Sequence, residues 1–144
     1  MMPDTQWNVF FADCPSRTSL ARIANKWTAM IVIYLATGPR RFGNIKKELT
    51  GISAKVLTDT LRALERDGIV NREEFPGIPV RVEYRLTDLG ETLIEPLSAL
   101  RQWAETYAAD VMQAQAAYDT KFSQCASTET TGNRQNKTLP HITI

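Results

Sequence analysis

Between about Ser16 and Leu35, apolar residues first recur at three- and four-residue intervals, at Leu20, Ile23, Ala24 and Trp27. They then become almost continuous through Met30, Ile31, Ile33, Tyr34 and Leu35. The first rhythm predicts an amphipathic helix and the second a buried central one, as two helices or one broken helix. Ser16 and Thr18 can accept from the free N–H groups at its start. Gly38-Pro39 stops the run, because glycine takes the left-handed cap and proline cannot continue the ladder. Phe42, Ile45 and Leu49 then share one face of a short helix, with Lys46 and Lys47 turned away. Thr50-Gly51-Ile52 reads as a tight turn and Ser53 as the N-cap of a helix running to about Asp67. Its apolar positions are Val56, Leu57, Leu61 and Leu64, while Lys55, Thr58, Asp59 and Arg62 fall at i, i+3, i+4 and i+7 on the opposite face.

After Gly68 the period changes to two. Residues 69–75 and 80–86 predict strands, and Pro76-Gly77-Ile78-Pro79 joins them as a stiff hairpin tip. Thr87 caps a further helix, and Pro96 suits the first turn of its restart. From Leu93 through Leu97, Leu100, Trp103, Ala104, Tyr107, Val111, Ala114 and Tyr118 an apolar stripe follows a long C-terminal helix. The polar composition from about Ser123 predicts disorder. The organisation is therefore mainly α with a small β-hairpin: a single domain over residues 1–122 and a tail over 123–144.

Composition narrows the function classes. Hydrophobic residues make up 43% and charged residues 23% of 144 positions, as in a globular protein with a real core. The longest apolar run, from Ala29 to Ala36, is too short for a membrane span. The N-terminus lacks the blocks of a signal peptide, which makes the cytoplasm the expected compartment. Cys14 and Cys125 lie 111 positions apart, which is neither a disulfide framework nor a clustered metal site. The single histidine, His141, sits in the polar tail. With no glycine-rich phosphate loop and no suggestive carboxylate pair, no catalytic, metal or cofactor site is expected. The net charge is only +1, but residues 38–72 carry eight Lys/Arg against four Asp/Glu, which leaves the remainder at −3. A basic middle in a chain whose remainder is net acidic is the electrostatic footprint of a duplex-binding unit.

Helix, tight turn, helix and hairpin in that order make a winged helix-turn-helix. A helix entering the major groove needs a face of hydrogen-bonding and cationic side chains. Lys55, Thr58, Asp59 and Arg62 supply one, and Val56, counted above with the apolar positions, also enters the DNA-contacting set. Ser53 and the first-turn N–H groups can meet a phosphate. Arg81 stands next to the wing tip, within reach of phosphate or minor groove, and Arg40, Arg41, Lys46 and Lys47 offer further backbone contacts. Each has a plainer reading: charged helix faces commonly just meet water, Arg81 can pair with Glu83 or Glu74, and Asp59 can orient Arg62.

Taken together, the segments resemble the HxlR family of bacterial regulators, a winged-helix group related to MarR. The matching residues are Cys14-Pro15, Lys26-Trp27-Thr28, Gly38-Pro39-Arg40-Arg41-Phe42, and Gly51-Ile52-Ser53 with Lys55 and Leu57. They continue through Leu61, Leu64, Asp67-Gly68-Ile69-Val70, Arg72, Val82-Glu83-Tyr84, Leu86-Thr87, Gly90 and Trp103. The similarity spans about residues 14–106. It implies a homodimer built on the N- and C-terminal helices, a near-palindromic double-stranded DNA operator, and repression. Independently, the stripe through Leu97, Leu100, Ala104, Tyr107 and Val111 is longer than a small three-helix core can cover. A partner subunit is its expected destination, with burial inside the same chain as the alternative.

The resemblance also implies a sensor, because family members detect oxidants or electrophiles through a cysteine at the position of Cys14. A thiol at a helix N-terminus beside Arg17 is placed to form thiolate. The plainer reading is a small apolar side chain beside Phe10, Phe11 and Ala12. Cys125 is a weaker candidate for a resolving thiol. A route without thiols would use Trp27, Met30, Tyr34, Phe42 and Trp103 around a small aromatic effector, against the reading of these as plain core. The rival from another class is a winged-helix module that binds protein instead of DNA.

Overall fold

The computed structural model describes residues 7–129 of the chain. Six helices and two strands follow in the order α1 (Pro15–Ile23), α2 (Lys26–Leu35), α3 (Phe42–Glu48), α4 (Ala54–Arg66), β1 (Val70–Phe75), β2 (Arg81–Leu86), α5 (Asp88–Glu91) and α6 (Ile94–Glu129). This is the mostly helical, winged helix-turn-helix architecture expected from the sequence. It divides into two compact units, with the boundary between Arg101 and Gln102 inside α6.

In the first unit the core sits where α2, α3 and α4 converge. Ile31, Val32 and Leu35 come from α2, Ile45 from α3, and Leu57, Leu61 and Leu64 from α4; all are buried. Each such side chain contributes about 1.5–3 kcal/mol relative to exposure, so three leucines on one face fix the rotation of α4 about its own axis. The turn between α3 and α4 places Gly51 at φ +95°, where a Cβ would be strained, and buries Ile52 directly after it. Asn25, which the sequence reading passed over, separates α1 from α2 by accepting the Trp27 N–H at 2.9 Å. The predicted caps at Ser16 and Thr18 need correction. Cys14 is the N-cap of α1 and Pro15 occupies its first turn, where a missing N–H costs nothing.

The antiparallel hairpin pairs Val70 with Leu86 through to Phe75 with Arg81. Glu73 faces Glu83 across the strands, a like-charge pair that would weaken the hairpin on its own. Arg85 approaches Glu73 at 3.1 Å and Arg81 approaches Glu83 at 3.4 Å, which offsets it. Arg40 adds a short third rung to the hairpin, donating its N–H to the Tyr84 carbonyl and accepting from the Tyr84 N–H. Thr87 starts α5 by accepting the Gly90 N–H. Leu97, in the first turns of α6, closes the core.

The second unit contains the rest of α6. Trp103, Tyr107, Val111, Met112, Tyr118 and Phe122 are all exposed along it, so among the described residues the stripe is buried within the chain at Leu97 but open from Leu100 onward. The helix runs to Glu129, through residues 123–129 that the sequence reading assigned to a disordered tail. Alanine and glutamine between Gln113 and Ala117 favour the helical state strongly enough to carry it past the last aromatic residue. The remainder of that tail, with His141, lies outside the described residues. Among the described residues, no helix is long and apolar enough to cross a membrane.

Candidate nucleic-acid interface

The chemistry of α4 is set by its two faces. Opposite the buried leucines, Lys55 and Arg62 are exposed and Thr58 is half-buried. The Lys55 side chain is 84% exposed, so its ammonium can meet a polyanion by exchanging or sharing its exposed partner Asp59. Ser53 caps the helix, its hydroxyl accepting the Val56 N–H at 3.1 Å. Asp59 pairs with Lys55 one turn earlier at 2.7 Å. That bond, reinforced by the charges of Lys55 and Arg62, holds the Asp59 carboxyl below the usual carboxylate range. Asp59 therefore stays an acceptor, able to take a hydrogen bond from a base amino group, but its direct partner is Lys55, not Arg62. The Thr58 hydroxyl donates to the Ala54 carbonyl at 2.8 Å, which leaves its lone pairs as acceptors. Val56, assigned both to the apolar stripe and to the DNA-contacting set, is 40% exposed and lies outside the buried leucine face.

The remaining candidates divide. Arg41 and Lys46 are exposed on α3 and at its N-cap. Arg40 is half-buried, its guanidinium donating to Thr37 at 2.9 Å and lying 5.2 Å from the Tyr34 ring. Combined with its main-chain bridge to Tyr84, this makes Arg40 a residue that joins the wing to α2. Arg81 stacks over Phe75 at 4.6 Å and pairs with Glu83, as its plainer reading held. The exposed tip of the wing is apolar at Ile78 and Val80.

Between α4 and the hairpin lies a cleft of about 360 Å³ lined by Thr58, Arg62, Glu65, Arg72 and Tyr84. Arg72 and Tyr84 were absent from the candidate set, although Arg72 stands opposite Tyr84 in the hairpin register. Period-two alternation alone could have placed both on one sheet face, but only the packing of α4 shows that this face adjoins Arg62. Glu74, at 2.6 Å, and Tyr84 together raise the affinity of Arg72 for its proton.

At the other end of the unit, Cys14 Sγ lies 3.0 Å from the Ser16 hydroxyl and accepts the Asn8 N–H at 3.3 Å. The Ser16 hydroxyl bond is the largest influence lowering the thiol's pKa; partial burial opposes it, and N–H groups of Asn8, Ser16 and Arg17 add to it. The same helix ends with Arg22 paired to Asp67, the C-cap of α4. Trp27, Tyr34 and Phe42 pack partly buried against the core, while Met30 is exposed and Trp103 belongs to the second unit. Cys125 is exposed on α6.

The profile of the HxlR-like helix-turn-helix family matches residues 22–112. The chain is 39% identical over 105 residues to the HTH-type transcriptional regulator YtfH of Escherichia coli, covering 73% of this chain and 83% of that protein. The structure of ytfH from Salmonella typhimurium superposes with a TM-score of 0.72 at 36% identity, over 77% of this chain and 99% of that one. The redox regulator HypR in its oxidized form superposes with a TM-score of 0.61 at 35% identity, over 65% and 96%. An amphipathic second helix on a tight turn, a wing braced on it, and a match across most of the first unit converge: the chain belongs to the HxlR-like helix-turn-helix family of transcriptional regulators.

Proposed function

We propose that the chain is a homodimeric, non-enzymatic repressor that reads a near-palindromic DNA operator with α4 in the major groove and the wing along the backbone or minor groove. The observation that carries this reading is the outward face of α4: Lys55, Thr58, Asp59 and Arg62 project from a helix whose opposite side is held by Leu57, Leu61 and Leu64. Arg41, Lys46 and Ser53 add phosphate contacts, and Val56 lies at the edge of the reading face. Arg81 joins them only by leaving Glu83. Homodimerisation is supported by apolar side chains that the chain leaves in water at both ends, including Phe10, Phe11 and Leu20 near α1 and Leu100, Tyr107 and Val111 on α6. Two-fold symmetry sets the two α4 helices in successive major grooves, roughly 34 Å apart.

Sensing enters through Cys14. A thiol held toward thiolate at the N-cap of α1 reacts readily with oxidants and electrophiles, and the relation to a protein named a redox regulator supports the same role here. The Arg22–Asp67 pair ties the far end of α1 to the end of α4, so displacement of α1 is transmitted to the reading helix. Fluorescence anisotropy with duplex DNA from the region upstream of the gene tests both parts. Affinity is expected to fall steeply with salt, by about 0.9 log units per log unit of salt for each phosphate neutralised. Diamide is expected to release the DNA from the wild-type chain but not from Cys14→Ser. Salt-insensitive binding contradicts the DNA reading, and unchanged affinity after diamide contradicts the sensor.

A further inference from the structure

We infer that the end of α6, residues 111–125, is a self-association segment that lies beyond the part shared with the family and pairs with the same segment of a second copy as a coiled coil. The inference rests on the homodimer reading above and extends its interface.

Leu97, Leu100, Ala104, Tyr107, Val111, Ala114, Tyr118, Lys121 and Cys125 alternate spacings of three and four without a break, which is a heptad seam. The family match ends at Met112, yet the seam continues beyond it for almost two further heptads. In residues 113–125 only Asp119 and Lys121 are charged, a composition unsuited to a helix meant to face water all round. Tyr118 is nevertheless 62% and Phe122 56% exposed, their rings 4.5 Å apart on adjoining turns.

The surface shape is also that of a coiled coil. Val111, Ala114, Gln115 and Tyr118, spaced i, i+3, i+4 and i+7, line one shallow groove together with Asp119. Four residues at that spacing form the hole that receives a single knob from a facing helix, and Ala114 gives this one a low floor. A second copy is the occupant that fits. Small Ala104 and Ala114 alternate along the seam with large Tyr107, Val111 and Tyr118, so an identical helix offers a knob for each hole it presents. The segment is also continuous with the Leu100–Val111 stripe assigned to the dimer. Lys121, the one charge in the seam, restricts the registers in which two copies can meet.

Sedimentation equilibrium on the full chain tests this. Wild type is compared with Ala114→Glu/Tyr118→Glu, with the milder Tyr118→Ala, and with Gln113→Glu/Thr120→Glu, which adds the same charge off the seam. The seam double variant is expected to raise the dimer dissociation constant at least ~10-fold, Tyr118→Ala less, and the off-seam variant hardly at all. Because all these positions are exposed, circular dichroism is expected to show unchanged helix content. A dimeric wild type whose dissociation constant is moved no more by the seam variants than by the off-seam one overturns this inference and leaves the homodimer standing. A wild type that stays monomeric overturns both.

Discussion

Gly90 has no room for a side chain: a Cβ built on it would lie 2.2 Å from the Ile69 carbonyl oxygen and 3.2 Å from the Leu86 side chain. The clash is with backbone at the junction of β1, β2 and α5, where nothing yields cheaply. Gly90→Ala is therefore expected to cost about 2 kcal/mol, read as a lowered denaturant midpoint. Glycine is recorded in the sequence, but the reason for it is a contact twenty-one residues back along the chain. Cys14 is a residue of the opposite kind: its partners Asn8, Ser16 and Arg17 all lie within six residues of it. The Ser16 hydroxyl lowers its pKa, so in a Cys125→Ser background its iodoacetamide alkylation rate should reach half-maximum at a pH below that of an ordinary thiol. Removing that donor with Ser16→Ala raises the pKa, so the half-maximum should move to higher pH. A profile unmoved by Ser16→Ala would contradict the assignment of the thiol's partner.

At the scale of elements, α4 was the most legible part of the chain, because its leucines and its polar positions each keep helical spacing and Ser53 stands where a cap is needed. Ser53→Ala is expected to cost about 1 kcal/mol of stability, since the Val56 N–H loses its acceptor, with the thermal midpoint as readout. The wing was legible in outline, as two strands joined through Pro76-Gly77-Ile78-Pro79. What one strand's pattern could not show was company from other strands and helices: Arg81 stacked on Phe75, and Arg72 brought beside Arg62. The structural role of Arg40 was hidden for the same reason, because its bridge to Tyr84 spans forty-four residues and leaves no periodic trace. The end of α6 was misjudged from its polar composition, although the helix-favouring alanines and glutamines of residues 113–117 lead into it.

For the whole molecule, the distribution of charge matters more than its sum. A net +1 says little, but a +4 surplus over residues 38–72 coincides with the helix-turn-helix and the start of the wing. Most of the exposed large apolar side chains lie outside that region, along the N-terminal segment and α6, with Ile78 and Val80 on the wing and Val56 on α4 as additions. The most direct measurement of the central claim is the operator affinity of Lys55→Ala/Arg62→Ala, by anisotropy at fixed salt, alongside its thermal midpoint. Both side chains are exposed and their loss leaves the leucine face intact, so the midpoint should stay near wild type. Affinity should fall on the order of 100-fold, from the loss of two groove contacts worth about 1–3 kcal/mol each. Wild-type affinity in a folded double variant would contradict the assignment of α4 as the reading helix.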